Sequence, residues 1–230
     1  MALYTPKAVV LNWFRYDVSF SIELIESFVH GIEHQAQESI DRYREQKETH
    51  FVEEVPEENH ARIVKVHQEL DDETWDLEGI FSDYFPSLQR RSALLTAFAY
   101  FEHELDKLCY RYRSEKSFKL ALSDLRGKGI DRATSYLEKV AEIDVFKASK
   151  EWNHIKKIQK IRNVIVHQDG KLFDSQGNPI KTALEYINQM DSLSGDNELV
   201  IHEGFLEYVV TTFKEYFQLL SKSIEAAEGA

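Results

Sequence analysis

The chain has 230 residues, 43% of them hydrophobic, which suffices for a sizeable core, and a formal net charge of −12 at pH 7. Its single cysteine, Cys109, excludes an intrachain disulfide and a cysteine-based metal site, and suits a reducing compartment. The opening Met1-Ala2-Leu3-Tyr4-Thr5-Pro6 has no charged lead or long apolar run, and nothing approaches the roughly 18 consecutive apolar residues of a membrane span, so a soluble, cytoplasmic protein without a membrane partner is expected.

An acidic total argues against nucleic acid as a partner, but the charge is unevenly placed. Residues 107–171 hold 16 Lys and Arg against 8 Asp and Glu (+8), and the remainder holds 12 against 32 (−20). A basic segment inside an acidic chain is the asymmetry that a phosphate-binding site would show, and also that of a solvated face on basic helices.

In chain order, residues 12–50 read as a long helix, because Ile25, Phe28, Val29, Ile32, Ala36, Ile40 and Tyr43 keep helical spacing. Within it His30-Gly31-Ile32-Glu33-His34 matches the H-x-x-E-H pattern of inverted zinc peptidases. The wheel puts both histidines on the solvent side, and no third ligand stands out, so exposed helix histidines are the better reading and no metal is expected. Pro56 suggests a loop near 51–56 and a second helix from about 57 to 70, on which His60 and His67 share a face. Trp75, Leu77, Ile80, Phe81, Tyr84 and Phe85 form an aromatic-rich helix or turn, and the acidic region 1–85 is expected to be helical and to pack on a core domain, 86–230.

Ser87–Arg113 is a strong helix with Leu94, Phe98, Phe101, Leu105 and Leu108 in its apolar stripe, and Glu102 and Glu104 beside it. After a broken stretch with a basic Gly127-Lys128-Gly129 tip, a helix runs near Asp131–Val140, with Asp131 as its cap. A further helix is expected from Val145 to Val166 or His167. Beyond Gly170 come a turn-rich loop, a modest helix near 181–191, a short strand near 198–202 and a last apolar helix from Glu203 to about Ala227.

The helix ending before Gly170 carries the chemistry. With about 100° per residue and Ile158 as reference, Ile155, Ile161, Ile165 and Val166 form one buried face, and Arg162 falls about 40° from its centre. A guanidinium placed there needs a carboxylate, an anionic ligand or a second subunit. Asn163 and His167 share a neighbouring sector about 100–140° away, so one straight helix cannot aim Arg162 and His167 at one atom, whereas an unwound last turn or two copies about a two-fold axis could.

Arg162-Asn163 followed by three residues and His167, late in a helical chain, resembles the R-x(4-6)-H motif of the HEPN superfamily, and the likeness is strongest over about 90–170. The resemblance implies an all-α antiparallel helical bundle with an N-terminal helical extension, a homodimer, and a metal-independent endoribonuclease in which Arg162, Asn163 and His167 are catalytic. It also implies an RNA substrate, no cofactor, and a toxin or defence effector with a cognate antitoxin. Histidine exchanges a proton near neutral pH and arginine grips a phosphate with a bidentate fork, which together suffice for attack by a ribose 2′-hydroxyl. Glu102, near the line of Phe98, is the expected support for Arg162, and Lys156, Lys157 and Lys160 are the expected RNA contacts. The alternative from the same fold is a non-catalytic nucleotide-binding, RNA-binding or protein-interaction module.

Overall fold

A computed structural model describes residues 12–45, 48–55 and 60–229. The protein is mostly helical, with two small antiparallel sheets. A π-helical turn, Phe14–Val18, leads into α1, Ser19–Glu45. Strands β1, Glu48–Val55, β2, His60–His67, and β3, Leu70–Asp71, form the first sheet in that order. The short α2, Leu77–Gly79, and a second π turn, Ile80–Tyr84, open onto α3, Phe85–Lys116. Then follow α4, Gly129–Lys139, α5, Lys150–Gln168, and α6, Lys181–Ile187. Paired strands β4, Leu193–Ser194, and β5, Val200–Ile201, precede α7, Phe205–Gly229.

Helices α3 and α7 pack on each other, and each also packs on α1 and on α5. Their seam is aromatic. Phe101 stacks on Phe213 with centroids 4.4 Å apart and lies 4.9 Å from Phe217, and Trp152 of α5 meets Tyr216 at 5.3 Å. The Tyr216 hydroxyl, buried with its ring, donates to the Val145 carbonyl at 3.0 Å, which satisfies its polar end inside the core. Trp13, Val18, Ile22, Ile25 and Val29 belong to this same core, so α1 is built into the bundle. A smaller cluster of Tyr43, Leu77 and Phe81 joins the sheet to the helices.

The N-terminal region departs from expectation beyond Glu45. Where a continuous helix to residue 50 and a second helix over 57–70 were expected, β1 and β2 form an antiparallel hairpin, with Glu48 opposite Val66 and Val55 opposite His60. Residues 56–59, where that second helix would begin, lie outside the described residues. Thr49, Val52, Val55, Ile63, Val64 and Val66 are β-branched and lose less freedom in a strand than in a helix. The next connection is a two-residue turn in which Gln68 and Glu69 both have positive φ, 47° and 67°, and His67 pairs with Leu70 across it. His60 and His67 therefore lie at the two ends of a strand and do not share a helix face. His67 is buried edge-on to Tyr43 and Phe81. In the sequence motif upstream, His30 and His34 are exposed, and Glu33 is taken by Arg90 at 2.7–2.8 Å.

Two helix starts also move. Lys128 precedes α4, and Asp131 lies in its first turn without capping it. α5 begins at Lys150, five residues later than expected, because Ser149 Oγ accepts the Trp152 N–H at 3.1 Å and so sets its N-cap.

Candidate functional site

Trp152, Ile155, Ile158, Ile161 and Val164 are the buried residues of α5. The buried face rotates toward Val164 at the end of the helix, leaving Ile165 half-buried and Val166 45% exposed, a correction to the expected apolar stripe. That last turn stays α-helical. Asp169 takes a left-handed φ of 54°, Gly170 follows at φ 79°, and the Gly170 N–H returns to the Val164 carbonyl at 3.2 Å. A Cβ at Gly170 would stand 2.5 Å from Arg91 Nη1, so glycine is required both by φ and by the arginine pressed against it. Arg91 is buried and donates to Glu198 and to the Leu199 carbonyl, tying the end of α5 to the chain beyond β4.

Arg162 lies half-buried, with its guanidinium carbon 5.9 Å from the centre of the Phe98 ring. Nη1 donates to Asn163 Oδ1 at 3.2 Å, and Nε is buried with no hydrogen-bond partner among the described residues. Glu102, from α3, feels its charge: burial pushes the Glu102 carboxyl up, Arg162 pulls it back in part, and Asp106 adds to the rise. The Ile130 N–H at the start of α4 also favours the Glu102 carboxylate. Asp106 is likewise pushed up by burial and opposed by Arg132, whose own Nε is buried without a partner among the described residues. Arg162, Glu102, Asp106 and Arg132 thus form a row along the seam of α3, α4 and α5, two carboxyl groups between two guanidiniums. Glu104 belongs elsewhere: it is buried toward Trp13, with one oxygen 2.8 Å from Lys107 Nζ.

Asn163 and His167 are exposed, one turn apart on the outward face of α5. His167 borders an open cleft of about 530 Å³ shared with Lys171, Phe173 and Asp174, and Arg162 is not part of its lining. Since α5 remains helical through Gln168, five residues turn the helix by about 140° between Arg162 and His167. One copy of the chain therefore does not bring them to a common point. Of the three lysines, Lys156 is held by Asp131 at 2.9–3.0 Å and Lys157 by Gln189 at 3.1 Å, over the Tyr186 ring. Lys160 is exposed.

Three residues were not singled out from the sequence. Asp106 follows Glu102 by one turn of α3, a spacing that was visible beforehand, whereas Arg132 reaches Asp106 only through the packing of α4 on α3. Lys171 reaches the cleft because it follows the Gly170 turn directly, a spacing that was visible beforehand. No family model, no curated protein and no solved structure matches the chain.

Proposed function

We propose that the chain is a metal-independent endoribonuclease of HEPN type that works as a homodimer in the cytoplasm, with the α5 helices of two copies facing each other across a two-fold axis. The observation that carries this reading is the state of Arg162. A guanidinium half out of water with an unfilled Nε donor is costly to leave as it is, and a phosphate oxygen is the ligand its fork fits best. The pairing rests on the diverging directions of Arg162 and His167, and on Val166, an exposed apolar side chain beside the motif on the outward face.

In this reading RNA lies between the two helices. The imidazole of His167 takes the proton of a ribose 2′-hydroxyl, O2′ attacks the adjacent phosphorus, and the P–O5′ bond breaks. O5′ leaves with a proton taken from water, His167 returns its own to solvent, and the products are a 2′,3′-cyclic phosphate and a 5′-hydroxyl. Arg162 of one copy holds the non-bridging oxygens beside His167 of the other, and Asn163 fixes the guanidinium through the hydrogen bond it already accepts. Lys160 is the main contact to neighbouring phosphates, because Lys156 and Lys157 are committed to partners in the chain. Glu102 positions Arg162 through its charge. Such an enzyme suits a toxin or defence effector held in check by a cognate antitoxin.

RNA cleavage in EDTA tests this. Wild type is expected to leave cyclic-phosphate ends and to spare DNA, which lacks the 2′-hydroxyl, while His167→Ala and Arg162→Ala each lose at least about 100-fold in rate. Activity retained in both variants would remove the assignment. One observation favours the non-catalytic alternative: the placement of Arg162 over Phe98, in the field of Glu102, also suits a purely structural arginine. Saturable RNA binding without turnover is its signature.

A further inference from the structure

The outward face of α1 and of the turn before it carries four large apolar side chains at four-residue spacing. Tyr16, Phe20, Leu24 and Phe28 are 57%, 60%, 74% and 36% exposed. Each step of four turns the helix by about 40°, so the four side chains make one continuous ridge. The opposite side of the same helix is spent on the core through Ile22, Ile25 and Val29. Gly31 lies on the outward face just beyond the ridge, and a Cβ there would meet nothing within 4 Å. Glycine inside a helix costs about 1 kcal/mol relative to alanine, and no contact among the described residues requires it at this position. A close approach from outside would.

We propose that this ridge is a self-association surface, on which α1 packs antiparallel against α1 of a second copy around a two-fold axis beside Leu24. An isologous contact requires that if residue i meets j, then j meets i. The ridge obeys this, because Phe20 and Phe28 stand four residues, about 6 Å, on either side of Leu24, so each Phe20 meets the other copy's Phe28. Tyr16 then arrives beside Gly31 of the other copy, where the missing side chain leaves room for its ring.

Charge on the ridge permits a second copy as the occupant, and the ridge's own symmetry and area favour it. Two chains of net charge −12 repel, and can meet only where the surface is locally neutral. Between residues 15 and 35 the exposed acidic and basic side chains, histidines aside, are Arg15 and Glu23, one of each sign. Asp17, Glu26 and Glu33 are already paired with Arg111, Lys214 and Arg90. At about 150–250 Å² per aromatic side chain the ridge exposes roughly 400 Å² per copy, and with Glu23, Ser27 and Gly31 the pair reaches about the 1,200 Å² lower bound of specific interfaces.

This contact does not rest on the chemistry proposed for α5. Both α1 and α5 pack on α3 and α7, so the α1 ridge and the outward face of α5 are separate surfaces. The test is sedimentation equilibrium combined with thiol crosslinking of the full chain. Cys109 is buried and stays silent, so Leu24→Cys supplies one accessible thiol, Lys139→Cys on α4 serves as the control, and Val166→Cys separately reports the α5 contact. Self-association of the wild type, exceeding a dimer where the α5 contact also forms, rapid Leu24→Cys self-crosslinking relative to the control, and a Kd of the α1 contact raised about 100-fold or more by Leu24→Lys with an unchanged helical spectrum are expected. A monomeric wild type, a dimer indifferent to Leu24→Lys, or crosslinking no faster than the control overturns the proposal.

Discussion

Glu102 is half-buried against a cation, and burial is the larger influence on its carboxyl, which is held above the usual carboxylate range. An acid whose folded-state pKa is raised binds its proton more readily in the folded than in the unfolded chain. Stability from this group is therefore full below the ordinary carboxylate pKa and falls as pH rises through the shifted one. Glu102→Gln is expected to raise Tm at neutral pH, and the gain should vanish near pH 4, where the unfolded carboxyl also protonates. A Tm lower than wild type at neutral pH would mean that attraction to Arg162 outweighs desolvation. Arg162→Ala should push the Glu102 carboxyl further up, which a carboxyl-resolved NMR titration reads directly.

The ends of α5 are set by local chemistry, and those ends decide where the motif points. Ser149→Ala removes the oxygen that accepts the Trp152 N–H and should cost about 1 kcal/mol in chemical denaturation. Gly170→Ala meets both a left-handed φ and the Arg91 guanidinium, and should cost about 2 kcal/mol or more, with RNA cleavage falling because the final turn carrying His167 loses its anchor. On α1 the sign reverses. Gly31→Ala has open space around the new methyl group and should stabilise the monomer by about 0.5–1 kcal/mol. The strongest elements were readable in advance, α3 and α7 from their apolar stripes and the tight stop of α5 from Gly170. Ser149 was not read as a cap, because the apolar pattern runs on through Val145 and periodicity alone placed that start too early.

Across the molecule, cohesion is uneven. The large aromatic core joins α1, α3, α5 and α7, whereas the sheet of β1–β3 leans on Tyr43, Leu77 and Phe81 with His67. Amide hydrogens of β2 and β3 should therefore exchange faster than those of α3 and α7, and equal protection would mean that the hairpin unfolds only with the whole bundle. Phe101→Ala should cost about 3–5 kcal/mol, since it empties the stack on Phe213 and Phe217. By itself the sequence determined the helical class, the aromatic face of α7 and the placement of Arg162 within an apolar stripe, because these follow from side-chain periodicity along a single helix. Only the tertiary structure decided that residues 48–71 pair as strands, because strand pairing depends on partners distant in the chain and its turn at Gln68 and Glu69 lacks the usual glycine. It also decided that Val166 is left outside the core and that Arg132 and Arg162 meet the Asp106 and Glu102 pair of α3, since which side of a helix is covered, and by what, depends on where neighbouring helices end.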